Sequence, residues 1–214
     1  VNALEAQKLR EVGFSNVAVI GHRRDVQPTP RGFTDRAGML LLAAMHEPDS
    51  PNRDALDWFV ARVLPLVEES LGWETRLTVA GYASPDVSFD MYRDHSRITL
   101  RGPVEDVASL YDAHRVAVAP TRYAAGLPYK VHEAASYGVP VVATELLRRQ
   151  LGWRHERDLL AVDATDPEEF ARCVIAVYRD PALWQLLRDN ALERIREENG
   201  RVRYEQAVRQ VLEG

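Results

Sequence analysis

Two short apolar runs with one helical segment between them constrain this chain more than any other feature. Residues 115–120 read RVAVAP and residues 139–143 read VPVVA, and the segment between them carries helix signals at both ends. Neither run alternates apolar with polar residues, so each predicts a strand buried on both faces. Pro128 suits a first helical position and Gly138 the position just past a helix end, which predicts a helix from 128 to 137. Strand, helix and strand within thirty residues is the pattern of a parallel pair joined by a crossover helix.

The same rhythm runs along most of the chain. Apolar runs at 39–44 (MLLLAA), 76–81 (RLTVAG), 97–100 (RITL) and 159–162 (LLAV) predict further strands, with helices over 52–70, 89–95 and 105–113. Pro65 falls inside the first of these helices and should disturb it. From 167 onward the pattern is helical, in three pieces beginning near Pro167, Pro181 and Arg201. The fold class expected is α/β, a Rossmann-like parallel sheet with helices on both faces. Residues 3–12 predict a helix and 16–21 (NVAVIG) a short strand, followed by a Pro-, Arg- and Asp-rich stretch. Residues 1–36 therefore read as a linker or tail from a preceding domain, and 37–214 as the domain itself. The first residue is Val, which fits a piece of a longer protein.

In a parallel sheet, ligands bind beyond the carboxyl ends of the strands, at a switch point. The loops at 45–51, 82–87, 101–105, 121–128 and 144–153 are the ones to watch. The fourth leads into Lys130 and Glu133, which lie three apart and share a helix face. A cation beside a helix start, with a carboxylate one turn on, suits an anionic ligand bearing hydroxyls. These residues alone equally describe a solvated ion pair on a surface helix.

Composition removes several classes. The chain has 214 residues, a net charge of -5 and 46% hydrophobic residues, which is a globular balance without the basic face of a nucleic-acid binder. No apolar run approaches the ~20 residues that span a bilayer. The one cysteine, Cys173, sits on an apolar helix face and reads as core, and low cysteine usage fits a cytoplasmic location. The first strand lacks a following GxGxxG, and no Walker loop, HExxH or GxSxG is present. Trp58, Trp73, Trp153 and Trp184 read as packing residues, Asn52 as a helix cap, and His132 as a core or surface histidine. Arg148, Arg149, Arg154, His155 and Arg157 read as a solvated basic face.

What remains resembles the GT-B glycosyltransferases, in particular the retaining group 1 family. Met39-Leu40-Leu41-Leu42-Ala43 followed by Pro51-Asn52-Arg53-Asp54, with Phe59 five further on, is similar to the family's first donor-domain strand and helix. Gly102-Pro103-Val104-Glu105-Asp106 resembles its G-x-V-x-D turn, and Val116 to Pro120 its V-x-V-x-P strand. Gly126 to Ala134 resembles the G-x-x-x-K-x-x-E-A signature, and Asp166-Pro167-Glu168-Glu169-Phe170-Ala171 the start of the late helices. The likeness runs from Met39 to the C-terminus, in order and at matching spacing.

The resemblance implies the C-terminal, donor-binding half of a two-domain enzyme, with a nucleotide diphosphate sugar as donor substrate and no cofactor or metal. Glu133 would accept from the ribose hydroxyls, Lys130 would face the diphosphate, and the turn at Val104 would present backbone groups to the base. Gly126, Leu127 and Arg122 fall in the ligand-side loop. The acceptor, a sugar or other hydroxyl compound, would be held by the chain's own N-terminal domain. Two positions depart from the family pattern. A glutamate that often touches the donor sugar is replaced by Ala125, and the usual Gly-Arg pair after the first strand is absent, leaving His46 there. A catalytically degenerate nucleotide-binding or scaffolding module and a nucleotide-sugar epimerase are the other readings of the same motifs.

Overall fold

The computed structural model describes residues 2–72 and 75–213. Trp73, expected as a packing residue, lies outside the described residues. Six parallel strands form one sheet in the order β3-β2-β1-β4-β5-β6. They are β1 (Met39–Leu42), β2 (Leu77–Ala80), β3 (Ile98–Gly102), β4 (Val116–Ala119), β5 (Val141–Thr144) and β6 (Leu160–Val162). The expected α/β Rossmann-like sheet is what the chain forms.

Burial on both faces explains why β1, β4 and β5 are short, largely apolar runs, whereas the edge strand β3 carries Thr99 and an exposed Arg101. Met39 and Leu41 of β1 enter one core with Leu56, Phe59, Val67 and Phe170, whereas Leu40 enters the other with Val131, Ala135 and Trp153. The first core lies under α2 (Pro51–Trp58), α3 (Leu64–Leu71) and α8 (Pro167–Arg179). The second lies under α5 (Val107–Ala113), α6 (Tyr129–Ser136), α7 (Glu145–Leu151) and α9 (Pro181–Asn199). A final helix, α10 (Arg201–Glu213), packs on α9, and α1 (Ala3–Glu11) packs on α7. The short α4 (Asp90–Arg93) precedes β3.

Pro65 disturbs its helix in a defined way. Without an N–H it cannot close an α-turn, and its ring crowds the carbonyl one turn back. Residues Phe59–Val63 widen into a π-turn, in which the Leu64 N–H reaches the Phe59 carbonyl. Phe59 stays fully buried through this turn and meets Phe170 edge-on at 5.9 Å, beside Trp58 at 5.6 Å. Trp153, Trp184 and Cys173 are also buried, as expected, and burial pushes the Cys173 thiol up to about 12.

Three expectations change. Residues 16–21 form no strand: no ladder reaches them, and Val19 and Ile20 instead line a cavity of about 490 Å³ beside α10. An apolar run becomes a strand only where a sheet edge offers it a partner. Residues 144–153 are not a loop either, because Thr144 passes directly into α7. The basic residues of this stretch stay largely on the surface, with Arg149, Arg154, His155 and Arg157 exposed and Arg148 paired with Glu145. Asn52 is not the cap of α2; Ser50 is, through its bond from the Arg53 N–H.

Residues 22–36 lie along α6 and α9. The Gln27 N–H donates to the Ser136 carbonyl at 2.8 Å, and Arg188 of α9 donates to the Thr29 carbonyl at 2.8 Å. Arg36 is fully buried, donating to Tyr111 O and Thr29 Oγ1 with its guanidinium 5.4 Å above the Trp184 ring.

Phe170 is the knot of the first core, so Phe170→Ala is expected to cost about 3–5 kcal/mol. Urea denaturation followed by tryptophan fluorescence measures it.

Candidate functional site

The chain leaves β1 toward one edge of the sheet and β4 toward the other, so the loops after these adjacent strands part and leave a crevice. A cleft of about 210 Å³ occupies it, walled by Leu42 to Ala44, Asn52, Gly81, Tyr82, Tyr129, Lys130 and Glu133. It continues, through Ala43, Gly81 and Tyr82, into a second of about 270 Å³ bounded by Phe89, Arg93, Gly102 and Pro103. Gly81 permits the join. Its φ is +127°, and a Cβ there would stand 2.2 Å from the Ala43 carbonyl oxygen.

Lys130 and Glu133 face this cleft, but they are not paired with each other. Lys130 Nζ donates to Asn52 Oδ1 and, at 3.1 Å, to Thr121 Oγ1. Asn52 in turn donates to the Ala44 carbonyl at 2.7 Å, so it is a strut between the β1 loop and the lysine. With neutral oxygens as its recorded partners, the ammonium is held partly out of water, and burial pulls its pKa down to about 8. A cation kept this way gains from an arriving anion.

Glu133 is held from the other side. Its Oε1 accepts from Arg24 Nη2 at 3.3 Å and its Oε2 from the Tyr111 hydroxyl at 3.3 Å. Both contacts are long and leave lone pairs for a ligand. Burial and the neighbouring carboxylate push the Tyr111 hydroxyl well above its ordinary pKa, so it remains a donor. Arg24 also donates to the Tyr129 hydroxyl and to Ser136 Oγ and lies 5.3 Å above the Tyr129 and Tyr137 rings.

The helix start differs from expectation. Pro128 occupies the N-cap of α6, one position earlier, and the Tyr129 and Val131 N–H groups are turned back onto Leu127 and Pro128. A proline at the cap has no side chain to bond these amides, so the chain closes them locally. The loop amide that does meet an anion is Gly126, at φ +80°, whose N–H donates to Glu5 Oε1 at 2.8 Å. That bond holds the Glu5 carboxyl below its ordinary pKa.

The remaining expected residues are dispersed. His46 is exposed at the mouth of the β1 loop, 5.3 Å from the Tyr82 ring. Arg122 is held by both carboxylate oxygens of Asp54, which raises its pKa. Ala125 is exposed, and Leu127 lines a different cavity, beyond α6. Val104 sits in the turn after β3 with its side chain against the second core, next to Pro103 in the cleft wall. Arg24, Tyr111, Thr121 and Tyr82 were not foreseen. The positions of Tyr82 and Thr121, each just after a strand in a ligand-side loop, were the only signals for any of them.

The family model for glycosyl transferases group 1 matches residues 38–180, well over half of the chain. The chain belongs to the group 1 glycosyltransferases. Its fold is that of TarM from S. aureus, solved with fondaparinux, α-GlcNAc-glycerol and UDP, at a TM-score of 0.82 and 13% identity over 100% of this chain. It also matches the C-terminal domain of the group 1 glycosyltransferase LpcC from Francisella tularensis (TM-score 0.65, 13% identity, 81% of this chain and 95% of that one). A third match is HepE from Anabaena with UDP and glucose (TM-score 0.61, 13% identity, 97% of this chain and 51% of that one). The chain covers 43% of the TarM chain, so it spans less than half of that relative. No curated protein sequence matches. The fold is thus that of GT-B glycosyltransferase C-terminal domains. Among the described residues, no helix is long and apolar enough to cross a membrane.

The lowered lysine pKa has a signature in stability. An unfolded lysine near 10.5 still binds the proton that Lys130 gives up near 8, so the unfolded state holds more protons in that window. Folding stability relative to Lys130→Met is therefore expected to rise between pH 8 and 10.5. Parallel thermal melts across that range check it.

Proposed function

We propose that the chain is the donor-binding domain of a glycosyltransferase that takes a nucleotide diphosphate sugar. One observation carries the reading: a partly desolvated cation, Lys130, and a carboxylate, Glu133, on the same wall of the switch-point cleft. Lys130 faces the diphosphate and Glu133 accepts from the ribose hydroxyls, with Arg24 and Tyr111 holding its carboxylate in place. The base lies in the adjoining 270 Å³ cleft, against the turn from Gly102 to Val104. UDP in the structures of TarM and HepE supports a uridine donor.

In the transfer, the bond between the sugar C1 and the phosphate oxygen breaks, and negative charge grows on the departing diphosphate. Lys130 meets that charge as a fixed donor, most strongly in the transition state. This route requires no metal ion. The family resemblance adds retention of the anomeric configuration. Ala125 offers no carboxylate to the sugar, which leaves His46 and loop backbone as its contacts. The acceptor hydroxyl comes from a preceding domain, so this domain alone turns over no donor.

Isothermal titration with UDP and GDP tests the site. UDP is expected to bind, and Glu133→Ala to weaken it at least about tenfold, the loss of one charge-assisted hydrogen-bond pair. Silence with both nucleotides, or an unchanged affinity in Glu133→Ala, overturns the assignment. Affinity is further expected to fall as pH rises through about 8, where Lys130 loses its proton, and the fall is expected to disappear in Lys130→Arg.

A further inference from the structure

The first turn of α6, which carries Lys130, has no side-chain cap. Pro128 at its N-cap offers nothing to bond an amide, and the Tyr129 N–H closes instead onto the Leu127 carbonyl at 2.8 Å. The placing of Leu127 therefore decides whether that turn stays closed.

The loop leading to α6 is tied down residue by residue at its start. The Thr144 hydroxyl donates to the Thr121 carbonyl at 2.6 Å, and Asp54 grips Arg122. The Tyr123 hydroxyl donates to the Asp49 carbonyl at 2.9 Å, and Gln150 Nε2 to the Ala124 carbonyl at 2.9 Å. Over 125–127 the bonds recorded from outside, among the described residues, all fall on Gly126, and they come from α1. Asn2 Nδ2 donates to the Gly126 carbonyl at 2.8 Å, and the Gly126 N–H donates to Glu5 Oε1 at 2.8 Å. Both backbone groups of this residue are thus held, 124 and 121 positions away along the chain.

The two side chains that hold Gly126 are themselves locked. The Glu5 N–H donates to Asn2 Oδ1 at 2.8 Å and the Asn2 N–H to Glu5 Oε2 at 3.0 Å, which is the capping box of α1. With Oδ1 committed to its own helix, the Asn2 NH2 group is the end that must face Gly126. Each side chain spends one end on α1 and the other on the loop. Gly126 itself adopts φ +80°, which residues with a Cβ rarely take, so its bonds fix a conformation that glycine alone leaves loose.

Taking the switch-point cleft as the donor site, we propose that Asn2 and Glu5 are positioning residues for it: by clamping Gly126 they set Leu127 where it closes the first turn of α6, and that turn holds Lys130 against Asn52 and Thr121. One capping box serves two helices, its own and the one that lacks a cap. Without the clamp, the entropy of ordering 125–127 falls on the ligand when it binds, and affinity drops. The helix α1 lies outside residues 38–180, so the family match does not include this device.

Three substitutions separate the clamp from the helix it is built on. Asn2→Asp still caps α1 but has no N–H for the Gly126 carbonyl. Glu5→Ala removes the other half, and Glu5→Gln keeps an oxygen for the Gly126 N–H. In hydrogen exchange followed by NMR, the Gly126 amide of Glu5→Ala is expected to exchange at least about tenfold faster than in the parent chain. In isothermal titration, Asn2→Asp and Glu5→Ala are expected to bind UDP about threefold or more weakly, and Glu5→Gln to stay within about twofold. The Lys130 side chain, followed by carbon NMR against pH, is expected to titrate near 8 in the parent chain and higher in Asn2→Asp and Glu5→Ala, as the loosened turn admits water. Unchanged UDP affinity with an unchanged Lys130 titration in Glu5→Ala overturns the proposal, and so does a loss in Glu5→Gln as large as in Glu5→Ala. Silence of the parent chain with both UDP and GDP overturns the donor-site reading instead, and the Lys130 titration then decides the clamp by itself.

Discussion

The placing of β1 between β2 and β4 is the constraint on which the rest of the structure depends. Strands that neighbour each other but send their chains to opposite edges cannot both cover the space above their carboxyl ends. The crevice left there is where Lys130, Glu133, Gly81 and Tyr82 meet, although they come from widely separated stretches of chain. Both faces of β1 are buried, so its run of Met39 to Leu42 has no polar side to expose. The same burial that makes the sheet rigid holds the loops above it apart.

Electrostatics in the crevice follow from that frame. A lysine on a solvated helix would find a counter-ion or water, and its affinity for an anion would be diluted by both. Here Asn52 and Thr121 supply neutral oxygens in fixed positions, and burial without a counter-ion pulls the lysine's pKa down to about 8. Glu133 is treated oppositely, with Arg24 and Tyr111 turned toward it. The two charges lie on one helix face and are kept from neutralising each other, which is the arrangement a ligand with both phosphates and hydroxyls requires. Arg122 shows the alternative, since Asp54 grips it with both oxygens and it has little left to offer.

Much of the fold was legible because it rests on short-range signals. Buried parallel strands announce themselves as short runs rich in apolar residues, and all six were read from such runs, the edge strand β3 from the shortest of them. Pro65 announced a disturbance whose form, a π-turn, needed the packing of Phe59 against Phe170 to be decided. Failures came where a partner had to be known. Residues 16–21 have a strand's composition and no edge to join, and Asn52 has a cap's position but a neighbour, Lys130, that uses it otherwise.

The sequence by itself determined the α/β class, the strands, the helix bearing Lys130 and Glu133, and the family, because periodicity and motif spacing are local properties. Tertiary structure decided what those two residues face. Arg24 and Tyr111 lie 109 and 22 residues from Glu133 along the chain, and Asn52 lies 78 from Lys130. No local pattern links positions so far apart; the sheet order brings them together. The stretch from Ala119 to Thr144 thus supplied the chemical groups, and the fold separated an anion-seeking cation from the carboxylate that would otherwise have satisfied it.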